Sequence, residues 1–329
     1  MRATRLLSVV GLALAALSIG AAAQTPTRIY RVGFLTIGSR GSPLVAATKA
    51  RLARALADRG YALGTNLAIT SRFAEAHRER LPALAGELLH SRVDVILAQG
   101  FLAARAAKDA TTAVPIVVSD AGDPVEEGLV ASFSRPGGNI TGISDMSAEL
   151  SAKRLELLKE SVPGLKQVAV LWDTDDLGMT ARFAAARSAA STLGLAVQSL
   201  FVRDQVDFDA AFAEMSRNRP DGIFTVTDVL TILSWRRLFE FAAAHRLPAI
   251  YEFGFLARDG GLMSYGPDGK ETTRRAADLI DRIFKGARPA DLPFEQPARF
   301  RFVINLKTAK ALGLAMPQQL LLRADEVIE

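Results

Sequence analysis

The chain has 329 residues and no cysteine, with 40 basic against 35 acidic residues and a formal net charge of +5. This length predicts two domains of about 150 residues each, and a hydrophobic fraction of 49% supplies material for two buried cores. The composition disfavours nucleic-acid binding, because no basic run is interleaved with aromatic residues. It also excludes disulfides and a thiolate nucleophile.

The first 23 residues have the pattern of a secretory signal peptide. Arg2 and Arg5 form a basic start, Leu6–Ile19 is an uncharged apolar run, and Ala21–Ala23 is a small-residue cleavage site before Gln24. An uncleaved membrane anchor is the alternative, which the short apolar run disfavours. Because a lipoprotein would have a cysteine in place of Gln24, we expect a soluble periplasmic protein.

Short apolar strands alternate with amphipathic helices along the rest of the chain, a pattern typical of βαβ units. The first half contains predicted strands at Tyr30–Thr36, Asn66–Phe73, Val93–Ala98 and Pro115–Ser119, with helices at Pro43–Arg59, Arg78–Ser91 and Leu102–Thr111. The pattern restarts with strands at Val168–Trp172, Ala196–Phe201, Asp221–Val226 and Pro248–Tyr251, and helices at Met179–Leu193, Phe208–Arg217 and Leu230–Ala244. This weak duplication predicts an α/β fold of two Rossmann-like, doubly wound lobes.

Three segments rich in glycine or proline look like crossings between the lobes: Arg135–Asn139, Gly260–Gly266 and Pro289–Pro297. They predict a first lobe of residues 24–138 plus about 262–292. The second lobe then has residues 139–261 plus about 293–329. Two such lobes have one natural ligand site, which lies between them at the carboxyl ends of the strands.

Polar residues follow the predicted strands of the first lobe. The segment after the first strand combines hydroxyls with a helix N-terminus, which suits a carboxylate. A carboxylate after the fourth strand suits an ammonium group, although Asp123 is also a good cap for the next helix. Capping is the alternative interpretation for the other polar residues as well. The candidate ligand-binding residues of this lobe are Thr36, Ser39, Gln99, Gly100, Phe101, Ser119, Asp120 and Asp123.

The second lobe has an acidic loop after its first strand and aromatic residues at several strand ends. Solvated helix caps are the alternative for the aspartates, and core packing is the alternative for the aromatic side chains. The candidate ligand-binding residues of this lobe and its crossing are Trp172, Asp173, Asp175, Thr227, Asp228, Tyr251, Phe253 and Tyr265.

Several short motifs together resemble one family, the ABC-transporter substrate-binding proteins whose best-known members bind tryptophan and other aromatic amino acids. The motifs are Val32–Leu35, Arg80–Ala85, Gly122–Val125, Arg135–Gly142, Lys153–Leu158, Gly260–Gly266, Asn305–Leu314 and Arg323–Glu329. The resemblance implies a type I periplasmic-binding fold, with three hinge crossings. It also implies a small-molecule ligand and an inner-membrane permease as partners, and we expect a monomer.

The chain departs from this family pattern at two places. Phe101 stands where family members usually have a small residue or proline. The run from Trp172 to Asp176 replaces a common Asn-Pro-Asn-Asn-like sequence with carboxylates. An acidic loop favours a ligand amine or several hydroxyls over a carboxylate at this position.

No pattern of an enzyme site is present. His77, His90 and His245 lack metal-ligand spacing, and neither a nucleophile elbow nor a phosphate-binding loop occurs. We therefore expect no catalytic residue, no metal and no cofactor. The sequence predicts the periplasmic receptor of an ABC importer, capturing a small polar molecule that is aromatic or bears a carboxylate. The alternative is a periplasmic ligand-sensing module that signals to a membrane partner without transport; an exported hydrolase or dehydrogenase is disfavoured.

Overall fold

The computed structural model describes residues 28–174, 176–204, 206–227 and 229–329. The predicted signal peptide lies outside these residues. Within these ranges, no helix has both the length and the apolar character needed to cross a bilayer.

Helices and strands alternate along these residues. The strands are β1 (Tyr30–Thr36), β2 (Leu67–Phe73), β3 (Val95–Gln99), β4 (Ile116–Ala121), β5 (Ile140–Ser144), β6 (Gln167–Trp172), β7 (Ala196–Phe201), β8 (Gly222–Thr225), β9 (Ala249–Tyr251), β10 (Met263–Pro267), β11 (Phe300–Asn305) and β12 (Glu326–Ile328). The helices are α1 (Pro43–Ala57), α2 (Leu81–His90), α3 (Phe101–Ala110), α4 (Ser147–Ser161), α5 (Leu177–Thr192), α6 (Asp207–Arg217), α7 (Val229–Leu233), α8 (Trp235–His245), α9 (Gly254–Arg258), α10 (Gly269–Phe284), α11 (Leu306–Leu312) and α12 (Gln318–Arg323).

Lobe 1 is built on a parallel sheet with strand order β2-β1-β3-β4-β5. Its strands read as continuous apolar runs because helices cover both faces. Phe34 points into a core shared with α1 and α10, and its neighbour Leu35 points into the core under α2 and α3.

Lobe 2 is built on a seven-stranded sheet with order β12-β11-β10-β9-β8-β6-β7. Its strands are parallel except for the antiparallel pair β10 and β11. Val170 faces the core under α4 and α5, and Leu171 faces the core under α6 and α8. Two doubly wound α/β lobes confirm the predicted architecture.

The sheet pairings correct the predicted lobe boundaries. Ile140–Ser144 is a buried strand paired with β4, so the first crossing follows Ser144 and not Gly138. The second crossing follows Pro267, because β10 belongs to the sheet of lobe 2. Glu295 accepts a hydrogen bond from the backbone of Ser144 at 2.9 Å, which places the third crossing after Glu295. The glycines of Arg135–Asn139 form a turn inside lobe 1.

Candidate ligand-binding cleft

A cleft of about 520 Å³ lies between the two lobes. Strands β1, β3 and β4 of lobe 1 end at one wall, and strands β6, β8 and β9 of lobe 2 end at the other. Parallel strands of doubly wound sheets present their carboxyl ends on one edge, which explains why both lobes direct their strand ends to the same space.

Most of the predicted site residues line this cleft. They come from strand ends of both lobes, as the sequence pattern predicts. Those found in the lining are Thr36, Ser39, Gln99, Gly100, Phe101, Ser119, Asp120, Asp173, Thr227 and Phe253. Two further predicted residues, Asp175 and Asp228, lie outside the described residues.

Asp123 and Trp172 are predicted site residues that the structure places outside the lining. The Asp123 carboxylate caps the turn that follows it, since its Oδ1 accepts backbone hydrogen bonds from Val125 at 2.8 Å and Glu126 at 3.0 Å. The Trp172 indole stacks on Phe183 with ring centroids 4.2 Å apart, and is 8% exposed. The contacts of both side chains thus favour a capping role for Asp123 and a packing role for Trp172.

Tyr251 and Tyr265 also lie outside the lining. Tyr251 is buried in the core of lobe 2 against Phe239, with centroids 5.2 Å apart, and desolvation raises the pKa of its hydroxyl well above the ordinary value. Tyr265 packs between Phe300 and Phe302. The contacts of these two residues favour the core-packing alternative.

Two hydroxyl groups in the cleft have no hydrogen-bond partner among the described residues. They are Ser119 Oγ, near the end of β4, and Thr227 Oγ1, just after β8. Each residue is 5% exposed and lines the cleft, and they belong to opposite lobes. A buried polar group without a partner is costly, so this pair is well suited to a polar ligand.

Asp120 has a strained backbone at the same strand end. Its φ of 60° is left-handed, and it lies where the register between β4 and β5 shifts. Such strain is often found at functional sites. Gln99 Nε2 donates to its carboxylate at 3.3 Å. Desolvation, together with the nearby Asp145 carboxylate, raises the pKa of Asp120 to about 6.

Arg51, on α1, lines the cleft but was not among the predicted site residues. Its Nη2 donates to Thr48 Oγ1 at 2.9 Å, and its buried Nε has no hydrogen-bond partner within the described ranges. Desolvation lowers the pKa of this guanidinium, and the Asp120 and Asp268 carboxylates partly offset that effect. Nη2 also lies beside the start of α10 at Gly269, where an added Cβ would be 3.9 Å away.

Arg182, on α5, is a second lining residue that sequence reasoning missed. Its Nη2 donates to Asp145 in the first crossing at 2.7 Å, and its Nη1 donates to the backbone oxygen of Thr227 at 3.0 Å. Behind it, Glu252 pairs with Arg154 at 3.2 Å, and Arg154 donates to a backbone oxygen of β10. This buried network joins the first crossing to lobe 2.

The lobes contact each other through a salt bridge across the cleft. Arg78, before α2 in lobe 1, lies 2.5 Å from the carboxylate of Asp173, at the end of β6 in lobe 2. Arg258 and Glu326, two lining residues of lobe 2, also pair with each other at 2.6 Å. Most lining charges are thus paired within the protein. By contrast, neither Asp120 nor Arg51 forms an ion pair with a described residue.

Apolar side chains complete the cleft walls. Phe101 and Leu102 contribute from lobe 1, and Ile232, Leu233 and Phe253 contribute from lobe 2. Phe253 stacks with Phe255, another lining residue, at a centroid distance of 6.0 Å. The cleft therefore combines a few polar groups with a surface suited to an aromatic or aliphatic side chain.

Comparison with known proteins identifies a family whose profile matches most of the chain and a relative named as a binding protein. The family profile described as ABC transporter substrate binding protein matches residues 42–328. A tyrosine-binding protein of Clostridioides difficile (strain R20291) is 27% identical over 262 residues, covering 79% of this chain and 75% of that protein.

Solved structures share the fold. A Streptococcus pneumonia ABC domain in complex with L-Trp has a TM-score of 0.85 at 23% identity, covering 91% of this chain and 100% of that one. The ligand-free, open structure of a substrate-binding protein with adhesive properties from Clostridium difficile has a TM-score of 0.66 at 23% identity, covering 92% and 99%. The fold is the type I periplasmic-binding fold, as expected, and the chain belongs to the ABC transporter substrate-binding protein family.

Proposed function

We propose that this chain is the exported substrate-binding protein of an ABC importer, and that its ligand is an α-amino acid with an aromatic or other apolar side chain. The observation that carries this proposal is a set of cleft groups that the described residues leave only partly satisfied. The Asp120 carboxylate and the Arg51 guanidinium form no ion pair with a described residue, and the hydroxyls of Ser119 and Thr227 have no hydrogen-bond partner among those residues.

The two unpaired charges match the two ends of a zwitterion. The Asp120 carboxylate accepts hydrogen bonds from the ligand ammonium group. Gln99 holds the Asp120 carboxylate in place by donating a hydrogen bond to it at 3.3 Å. Arg51 receives the ligand carboxylate beside the start of α10, a position where a helix N-terminus adds favourable potential. Charge-assisted hydrogen bonds of this kind are stronger than neutral ones. The hydroxyls of Ser119 and Thr227 complete the polar shell.

The apolar walls receive the ligand side chain. Phe101 of lobe 1 and Phe253 of lobe 2 both line the cleft, and a ring between them would bury its faces. The names of the relatives support an aromatic ligand, since one binds tyrosine and another structure contains L-Trp. Phe101, which departs from the family pattern, is thereby assigned to the side-chain pocket.

Ligand contacts from both lobes exist together only when the lobes close, so the ligand favours the closed arrangement. The ligand-free relative described as open supports an alternation of this kind. In this proposal, a cleaved signal peptide exports the chain to the periplasm. The closed monomer then docks on the inner-membrane permease.

A thermal-shift screen tests the proposal. The chain from Gln24 onward would be unfolded and refolded to remove bound ligand, then mixed with amino acids, sugars, purines and amines. A ligand at 100 times its Kd adds about 2.7 kcal/mol, which raises the midpoint by several degrees. We expect the largest shifts from tryptophan, tyrosine or phenylalanine. Shifts from sugars or purines alone would contradict the proposal.

A matched control is Asp123→Asn. It changes a carboxylate that is close in sequence to the lining residue Asp120 but caps a turn outside the lining. This variant should give the same ranking of ligands as the unchanged protein. A changed ranking would contradict the assignment of Asp123.

A further inference from the structure

Glu127 is a buried carboxyl group at the contact between the lobes. It lies in the segment between β4 and β5 and is 7% exposed. Leu129 and Val130, which follow it, are part of the lobe 1 core, so this segment is fixed to lobe 1. Its carboxyl group is outside the cleft lining, and the binding site described above does not use it.

Two glycines, one from each lobe, make room for this carboxyl group. A Cβ atom added to Gly122 of lobe 1 would lie 2.4 Å from Glu127 Oε1, and one added to Gly178 would lie 2.7 Å from the same oxygen. Gly178 is in the first turn of α5 in lobe 2. Any side chain at either position would displace the carboxyl group, which therefore fills a gap that both lobes form.

Among the charged groups around Glu127, Arg182 stabilises an ionised carboxylate and three acidic groups oppose it. The cation that faces it, Arg182 on α5, is engaged by Asp145 at 2.7 Å. Three carboxylates face it as well: Asp145 in the first crossing, Asp176 at the cap of α5 and Asp123 in its own segment. Glu127 Oε2 is buried without a hydrogen-bond partner in the described part of the chain.

Burial is the main reason that an ionised Glu127 is disfavoured. Arg182 favours the ionised form, whereas the three carboxylates disfavour it. The net effect of these groups is a pKa of Glu127 raised to about 8. Separation of the lobes would move Gly178 and α5 away and let water reach the carboxyl group. The pKa of Glu127 would then return toward the ordinary value of a glutamate, about 4.3.

We propose that Glu127 couples lobe closure to protons, taking up one proton when the lobes close and releasing it when they open. The proposal rests on the lobe closure of the proposed function, although it does not depend on which ligand is bound. In a transport receptor, such coupling makes an acidic periplasm favour capture and a more alkaline one favour release.

The sign follows from linkage. Between the open and closed pKa values of Glu127, the closed form binds a proton that the open form lacks, so rising pH favours opening. Ligand affinity should fall by up to about tenfold per pH unit between roughly pH 6.5 and 8, and level off above that. Asp120 acts in the opposite direction, but only near and below its pKa of about 6, so this window isolates Glu127.

Proton uptake on ligand binding is the first test. Calorimetric titrations of L-tryptophan at pH 7, in buffers of different ionisation enthalpy, count the protons taken up. We expect about one proton for the unchanged protein and none for Glu127→Gln, whose neutral amide keeps the shape of the side chain. Asp123→Asn, which alters the neighbouring acid, should keep the uptake. Equal uptake by the unchanged protein and Glu127→Gln would overturn the proposal.

The second test needs no ligand. X-ray scattering follows the radius of gyration of the ligand-free protein from pH 6.5 to 9, and we expect expansion with rising pH that Glu127→Gln lacks. Gly178→Ala, whose Cβ takes the place of the carboxyl group, should be expanded throughout. If L-tryptophan does not bind but these pH responses occur, the proposed ligand fails and the coupling stands. Identical pH responses of the unchanged protein and Glu127→Gln would refute the coupling.

Discussion

The two lobes share one architecture but use their cleft charges differently. In lobe 1, Asp120 and Arg51 face the cleft without an ion pair to a described residue. In lobe 2, Arg182 is held by Asp145 at 2.7 Å, and Asp173 is held by Arg78 at 2.5 Å. Under the proposed function, Asp120 and Arg51 of lobe 1 are therefore left to pair with the ligand, whereas Arg182 and Asp173 of lobe 2 pair with the first crossing and with Arg78 of lobe 1.

The largest effect on ligand affinity is expected when a charge is removed from lobe 1. We expect Asp120→Asn and Arg51→Met each to weaken amino-acid binding by about 1.5–3 kcal/mol, or roughly 10- to 150-fold, since each loses a charge-assisted hydrogen bond. Isothermal titration calorimetry measures the change. Affinities within twofold of that of the unchanged protein would show that Asp120 and Arg51 do not contact the ligand.

Acid pH should weaken ligand binding through Asp120 of lobe 1. Because the pKa of Asp120 is raised to about 6, its carboxylate becomes protonated as pH falls through 6, and it then no longer pairs with an ammonium group. In the Glu127→Gln variant, which lacks the opposite pH trend of Glu127, affinity should therefore decline by up to about tenfold per pH unit below pH 6. Titrations of that variant at pH 4.5, 5.5 and 6.5 check this. When Asp120→Asn is added to it the decline should be absent, and its persistence there would assign it to another group.

A charge removed from lobe 2 should have a smaller effect, through closure. Asp173→Asn breaks the salt bridge to Arg78, whose side chain is one-third exposed, and we expect a loss of about 1 kcal/mol, or roughly fivefold in affinity. Its ligand-free radius of gyration should increase. Combining it with Arg78→Met gives a double-mutant cycle. Additive losses in that cycle would show that the pair does not act across the cleft.

The sequence predicts much of the lobe 1 side of the cleft because parallel strands end at a common edge. Ser119, Asp120 and Gln99 all follow from strand positions alone. Arg51 and Arg182 could not be found in this way, because they lie on helices one or more turns beyond the strand ends. Their place in the cleft depends on how the helices pack, which local periodicity does not determine.

Aromatic residues at strand ends were the least reliable signal. Trp172 is the last residue of β6, yet its indole turns into the core to stack on Phe183. Tyr251 ends β9 in the same way and is buried against Phe239. Successive strand residues point to opposite faces, so the side chain of a strand-end residue reaches the cleft only when its face and rotamer allow it. The lobe boundaries failed for a similar reason, since a turn rich in glycine does not reveal which sheet the next strand joins.

The two unpartnered hydroxyls allow a matched comparison between lobes. We expect Ser119→Ala in lobe 1 and Thr227→Val in lobe 2 each to weaken binding by about 0.5–1.5 kcal/mol, or roughly two- to twelvefold. Both changes keep the packing close to the original, and calorimetry gives the affinities. If neither change altered binding, the hydroxyls would not contact the ligand.

The smallest effect on binding is expected at Trp172. Trp172→Phe loses the hydrogen bond from Nε1 to Ser199 at 2.9 Å and part of the stack on Phe183. It should lower the free energy of unfolding by about 1–2 kcal/mol and leave affinity unchanged. Denaturant unfolding and calorimetry measure the two effects separately. A large loss of affinity with an unchanged free energy of unfolding would show that Trp172 contacts the ligand.

Matched ligands test most directly whether lobe 1 recognises both ends of a zwitterion. Calorimetry would compare L-tryptophan with tryptamine, which lacks the carboxylate, and with indole-3-propionate, which lacks the ammonium group; tyrosine and its analogues form a second series. We predict that an intact amino acid binds at least about tenfold more tightly than either analogue. Equal binding of an intact amino acid and both of its analogues would contradict the pairing of Asp120 and Arg51 with the ligand.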